Sequence, residues 1–133
     1  MEPMQRTVLV AEDEPLIRLV LTSALEDEGY TVFEASNALE AVAIFAWSPC
    51  IDAVITDVNM PGALNGFDLV ELVAAGGKPM AKIVTSGLHS ASDHALPSGC
   101  RFLSKPYRLG EVISELETQL AKLNTLSPPS AAI

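Results

Sequence analysis

Short apolar runs alternate along the chain with longer stretches in which apolar residues recur every three or four positions. Thr7–Ala11 (TVLVA), Thr31–Ala35, Ala53–Thr56 and Lys82–Thr85 are the runs, and their length and β-branched content suit strands buried in a parallel sheet. Cys100–Leu103 is a weaker fifth strand, accepted on the rhythm of the units before it. Pro15 suits a first helical turn, where its missing N–H costs nothing, and Ile17, Val20, Leu21, Ala24 and Leu25 form an apolar stripe that stops at Gly29. Asn37, with Glu40 three residues on, is a capping-box-like start to a second helix with Leu39, Val42, Ala43 and Ala46 on one face. The turn-rich segment Asn59–Gly66 leads into a third helix around Phe67–Ala75, which Gly76-Gly77 stops. In the last helix, Leu109–Asn124, Ile113, Leu116, Leu120 and Leu123 share a face.

The segment Leu88–Gly99, where one more helix is expected, is Ser-rich and holds Pro97 and Gly99, so it reads as a short or irregular fourth helix. After Asn124 the residues TLSPPSAAI include too few large apolar side chains to pack. The reading is one domain over residues 1–126 and a flexible tail over 127–133. Repeated β-then-α units imply an α/β fold, a doubly wound five-stranded parallel sheet with helices on both faces, because parallel strands need crossovers and these run right-handed. Ligand sites in such sheets lie at the carboxyl ends of the strands.

Composition narrows the function. A chain of 133 residues can bury about 68–70% of the surface it exposes unfolded, so it needs neither disulfides nor a structural metal. Seventeen Asp+Glu against eight Lys+Arg give a net charge of −9, which attracts cations and repels a polyanion unless the basic residues cluster. Arg6, Arg18, Lys78, Lys82, Arg101, Lys105, Arg108 and Lys122 are scattered along the sequence, which argues against direct nucleic-acid binding. Cys50 and Cys100 form no Cys-x-x-Cys pair, and no His stands at zinc-ligand spacing. Without a basic, apolar leader or an apolar run near the roughly 20 residues that cross a bilayer, the expectation is a cytoplasmic protein with no membrane contact and reduced thiols.

Chemistry-bearing residues fall where the strands end. The first strand runs into Glu12-Asp13-Glu14, the third into Asp57, the fourth into Thr85-Ser86 and the fifth into Ser104-Lys105-Pro106. Two carboxylates about 4 Å apart repel by roughly 4 kcal/mol at an effective dielectric near 20, so Glu12, Asp13 and Asp57 can gather only around a cation. Lys105 and Mg²⁺ would both serve, since Mg²⁺ favours oxygen ligands and keeps several waters. Beside a metal, an ionised carboxylate can attack phosphorus in line to give an aspartyl phosphate, and Asp57, on the central strand, is the best candidate. Lys105 and the Ser86 hydroxyl could then bind phosphoryl oxygens.

The combination of VLVAEDE, ITDVNMPG, a Ser86-Gly87 pair after an apolar strand, and Lys105-Pro106 resembles the response-regulator receiver domain of two-component signalling, over the chain up to about Leu123. The resemblance implies a flavodoxin-like sheet of order 2-1-3-4-5. It implies phosphorylation of Asp57 by a sensor histidine kinase or a phosphotransfer protein, with Mg²⁺ (or Mn²⁺) held by Glu12 or Asp13, by Asp57 and by the backbone carbonyl of Asn59. It also implies that Ser86 is the switch hydroxyl, that Lys105 is the phosphate-binding lysine ahead of a cis Lys-Pro bond, and that Phe102 is the switch aromatic. Phosphorylation would then favour a state in which Ser86 turns toward the phosphoryl group and Phe102 packs inward, remodelling the nearby surface.

Three features depart from the family's pattern. The loop GALNG before the third helix is one residue longer than the common spacing, the stretch from Ser86 to Lys105 is short, and the expectation is that no effector domain follows the last helix. Output is therefore expected through a downstream protein target, through phosphorylation-dependent homodimerisation, or by drawing phosphate from another regulator.

Each feature also has a plainer meaning. Glu12-Asp13-Glu14 alone is an acidic helix start, Asp57 alone a turn residue, and Lys105-Pro106 alone an ordinary dipeptide. Their joint position at strand ends favours the functional reading. Phe102 serves equally as a core aromatic, Trp47 as a cover for the end of the second helix, His89 and His94 as surface residues, and both cysteines as small apolar packers. Against a signalling phosphoacceptor stand a phosphate-independent interaction module and an aspartate-nucleophile phosphatase. The latter commonly carries an acid two residues after the nucleophile, where this chain has Asn59. Nucleotide binding is disfavoured because EDEP replaces a Gly-rich loop.

Overall fold

The computed structural model describes residues 5–48, 50–87 and 96–126. Five strands, β1 (Thr7–Ala11), β2 (Thr31–Ala35), β3 (Ala53–Asp57), β4 (Ala81–Ser86) and β5 (Cys100–Ser104), form one sheet in the order β2-β1-β3-β4-β5. Every pairing is parallel. The helices are α1 (Pro15–Asp27), α2 (Ala38–Trp47), α3 (Gly66–Ala75) and α4 (Leu109–Leu126). The fold class and strand order are those expected from the sequence. The irregular fourth helix read over Leu88–Gly99 falls largely on residues 88–95, and these, like the tail 127–133, lie outside the described residues.

Strand alternation divides the core. Val8, Val10, Ala53, Ile55, Ala81 and Ile83 face α1 and α4, meeting Leu21, Leu25, Val112, Leu116 and Leu120. Leu9, Ala11 and Val54 face the opposite way, against Ala38 and Ala41 of α2 and Leu69 and Val73 of α3. A third cluster joins Val58, Phe67, Val70 and Val84, with Phe102, Cys100 and Leu96 partly buried at its margin.

Local chemistry sets the helix starts. Pro15 opens α1, and Asn37 caps α2 by accepting from the Glu40 N–H at 2.8 Å. The expected capping box is rearranged, because the Glu40 carboxylate accepts from the Ser36 N–H at 2.8 Å and from its hydroxyl at 2.9 Å. A reciprocal box stands instead at α3, where Asn65 and Asp68 exchange side-chain to backbone hydrogen bonds of 2.9 and 3.0 Å.

The buried face of α2 also differs from the sequence reading. Ala38 and Ala41 are buried while Leu39 is exposed, because nine of the ten residues in ALEAVAIFAW are apolar and periodicity cannot choose a side. Trp47 ends α2 but is 87% exposed and so covers little. Cys50 is exposed rather than packed, whereas Cys100 is half-buried as expected.

Candidate functional site

β1, β3 and β5 deliver Glu12, Asp57 and Lys105 to the same end of the sheet. Backbone ladders continue past the last strand residues: the Glu12 N–H donates to the Ala35 carbonyl at 3.0 Å, that of Val58 to Thr85 at 2.9 Å and that of Lys105 to Ser86 at 2.9 Å. The Lys105 ammonium stands 3.1 Å from Glu12 Oε1 and 3.2 Å from Asp57 Oδ2, bridging the two acids. Glu12 is only 2% and Asp57 6% exposed. One carboxylate oxygen from each of Glu12, Asp13 and Asp57 lies within 4.8 Å of the others.

This arrangement is short of positive charge. Burial raises the Glu12 and Asp57 carboxyls above their ordinary range, and Lys105 only partly offsets it; for Asp57 the Asn59 N–H also pulls down while Asp13 pushes up. Burial pulls the Lys105 ammonium down, but the hydrogen bond to Glu12 and the charges of both acids outweigh it and hold the proton on. A divalent cation among three close carboxylates would relieve the imbalance, so the donor set fits a hard metal ion with oxygen ligands.

Of the remaining expected residues, Asn59 and Ser86 border this cluster. Ser86 is fully buried at the end of β4, with its hydroxyl 3.4 Å from Asn59 Nδ2. The Asn59 N–H donates to Asp57 Oδ1 at 3.4 Å. Phe102 lies off the cluster, packed against the Val58, Phe67, Val70 and Val84 group. The Lys105-Pro106 peptide is cis.

The family described as the response regulator receiver domain matches residues 8–117. The chain belongs to that family. This receiver is 33% identical over 129 residues to the response regulator GtcR of Aneurinibacillus migulanus, covering 95% of this chain and 52% of that protein. It is 32% identical over 120 residues to the sensor kinase CckA of Brucella abortus, covering 87% of this chain and 13% of that protein. A receiver domain protein from Clostridium thermocellum, 28% identical, superposes with a TM-score of 0.83 over 92% of this chain and 99% of that one. The chain spans about half the length of the first curated relatives it matches.

Three supports of the receiver's acidic cluster were not read from the sequence. Arg18 on α1 donates to the Glu12 carbonyl at 2.7 Å and stands 3.4 Å from Glu34, tying helix and strand end together. Tyr107 lines an apolar cavity of about 540 Å³ with Leu16, Ile17, Val20, Pro106 and Leu109, and Lys105 lies at its border. Gly66, the first residue of α3, lets that helix approach the Asp57 backbone: a Cβ there would lie 2.2 Å from the Asp57 carbonyl oxygen. Only the glycine after a turn-rich loop hinted at the last of these, since the contact joins backbone atoms.

Proposed function

We propose that this receiver accepts a phosphoryl group on Asp57 from a phosphohistidine of a sensor histidine kinase or phosphotransfer protein. The observation that carries this reading is the Glu12–Asp13–Asp57 cluster, buried at Glu12 and Asp57, with Lys105 bridging those two acids. An Asp57 carboxylate oxygen attacks phosphorus, the P–N bond breaks, and the leaving imidazole nitrogen keeps the electron pair and takes a proton from water. Glu12, Asp13, Asp57 and the Asn59 carbonyl would hold Mg²⁺ (or Mn²⁺), which supplies charge neutralisation for the transferring phosphoryl oxygens. Lys105 would donate to a phosphoryl oxygen on Asp57, as it now donates to the carboxylates, and the Ser86 hydroxyl, at the end of the neighbouring strand β4, would be a second donor.

Phosphorylation would draw Ser86 toward Asp57, leaving room for half-buried Phe102 to pack deeper and changing the surface that a downstream protein meets. The exposed apolar residues Leu16 and Val20, beside Lys105, offer a face on which a phosphodonor protein could dock. Similarity to a sensor kinase supports a place in kinase signalling.

The test is intact mass after incubation with Mg²⁺ and acetyl phosphate, comparing the native chain with Asp57→Asn. One phosphoryl group added only to the native protein, and abolished by EDTA, is the expected result. No adduct, together with no spectral response to Mg²⁺ and beryllofluoride, would overturn the proposal.

A further inference from the structure

The eight basic residues are scattered in sequence, but the fold brings three of them around one pocket. A cavity of about 480 Å³ opens at the amino-terminal ends of β4 and β5, beside the second half of α4 and at the opposite end of the sheet from Asp57. Lys82, Arg101 and Lys122 line it with a single carboxylate, Glu115, leaving a net of plus two in a chain of net charge −9.

Lys82 is the residue that makes this more than a patch. It is 8% exposed, and among the described residues its ammonium has one acceptor, the Met80 carbonyl at 3.0 Å, and no carboxylate. A buried ammonium ordinarily pairs with an anion, because burial is costly while its three donors go unmet. Glu115 turns elsewhere: its carboxylate accepts from Gln119 Nε2 at 3.0 Å and faces Arg101 Nε at 3.8 Å. Gln119 is committed as well. Its Oε1 accepts from the Lys82 N–H at 2.8 Å and its Nε2 donates to the Lys82 carbonyl at 3.1 Å, so the amide acts as a strand partner and fixes Lys82 at the pocket.

We propose that this pocket binds a phosphate-class oxyanion, held by the Lys82 ammonium, with Arg101, which faces α4 from the neighbouring strand, adding its positive field. A lining with three basic side chains and one carboxylate suits an anion, and an ammonium suits phosphate oxygens as a donor. Cys100 also lines the cavity, its thiol pushed up by burial with Lys82 pulling only partly back. The site is separate from the acidic cluster and holds whether or not Asp57 is phosphorylated.

The experiment titrates inorganic phosphate into the ¹⁵N-labelled chain in EDTA, with chloride holding ionic strength constant. Saturable shifts at the Gly99, Cys100 and Arg101 amides and the Gln119 side-chain amide are expected, with adenosine 5′-phosphate run alongside to tell a free from an esterified phosphate. Lys82→Met should weaken binding about tenfold and Lys82→Arg should restore it. Arg101→Gln, at a side chain 65% exposed, should weaken it without disturbing the core. No saturation at these amides, shifts confined to Asn59 and Ser86, or native affinity in both Lys82→Met and Arg101→Gln would overturn the proposal.

Discussion

Replacing Gly66 by alanine sets two opposed effects against each other. At an open helical position the change stabilises by about 0.5–1 kcal/mol, since glycine loses more freedom on folding and is the poorer helix former. At Gly66 the added Cβ would lie 2.2 Å from the Asp57 carbonyl oxygen and 2.9 Å from both the Asp57 carbonyl carbon and Val58 Cα. Carbon–oxygen contacts settle near about 3.3 Å, so something must move by about 1 Å. Every atom in the way is main chain, and no side-chain rotation gives relief. Withdrawing α3 would stretch the 3.1 Å hydrogen bond from the Gly66 N–H to the Val58 carbonyl. Overpacking costs about 1–3 kcal/mol and a lost hydrogen bond about 1 kcal/mol, so the clash outweighs the helix gain and leaves a net loss of about 2 kcal/mol.

Urea unfolding reads this directly. With a slope of about 2 kcal/mol/M, the midpoint should fall by about 1 M. Gly110, in the first turn of α4, has nothing within 4 Å of its ideal Cβ and is the internal control. Gly110→Ala should raise stability by about 0.5 kcal/mol. Because the displaced carbonyl belongs to Asp57 itself, Gly66→Ala should also slow acetyl-phosphate labelling of the folded protein. A Gly66→Ala chain as stable as Gly110→Ala, labelled at the native rate, would refute the account of α3 pressed against the Asp57 backbone.

Other outcomes follow from the same geometry. Asp57 has a carboxyl raised by burial, with Lys105 opposing, and so weakens the fold once pH rises past its ordinary titration range; Asp57→Asn in EDTA at pH 7 should gain on the order of 1 kcal/mol, and a lower urea midpoint would contradict this. Gln119→Leu strips both hydrogen bonds from the Lys82 backbone and should cost about 1–3 kcal/mol, with faster hydrogen exchange at the Lys82 N–H as its local signature; unchanged exchange there would count against the amide as a strand substitute. Burial pushes the Cys100 thiol up to about 11, with Lys82 pulling back, which leaves about a hundredfold less thiolate at pH 8 than a thiol at 9. Iodoacetamide should therefore modify exposed Cys50 first, as peptide mass mapping will show, and equal rates would exclude a buried thiol at Cys100.

What the sequence disclosed follows the range of the interactions involved. Strands buried on both faces have to be apolar throughout, so Thr7–Ala11 was legible to the residue, whereas the edge strand Thr31–Ala35, with Phe33 and Glu34 exposed, was legible as a short run rich in β-branched and aromatic residues between two helices. Asp57 and Lys105 were legible because strand ends point at one place in a parallel sheet. The buried face of α2 was not, since a helix apolar on nearly every side carries no phase. Asn65 and Asp68 form a capping box in letters other than the usual Ser/Thr and Glu/Gln, and so passed as part of a turn. Gly66 against Asp57 and the meeting of Lys82, Arg101 and Lys122 depend on contacts between distant segments, which local pattern does not encode.

The two ends of the sheet carry opposite charge imbalances, and one cannot correct the other. β4 begins near Lys82 and ends at Ser86, beside the acidic cluster. Four residues at about 3.3 Å each place these poles about 13 Å apart, where unit charges attract by only about 1.3 kcal/mol at an effective dielectric of 20. That is less than the several kcal/mol that burying an ion costs, so each pole gains from its own counter-ion. The apolar clusters on both faces of the sheet supply the stability that lets both imbalances persist in the bare chain. Occupancy of either pole would then add stability according to its own ligand's concentration, which would keep the proposed phosphoacceptor site and the proposed anion pocket thermodynamically distinct within one small sheet.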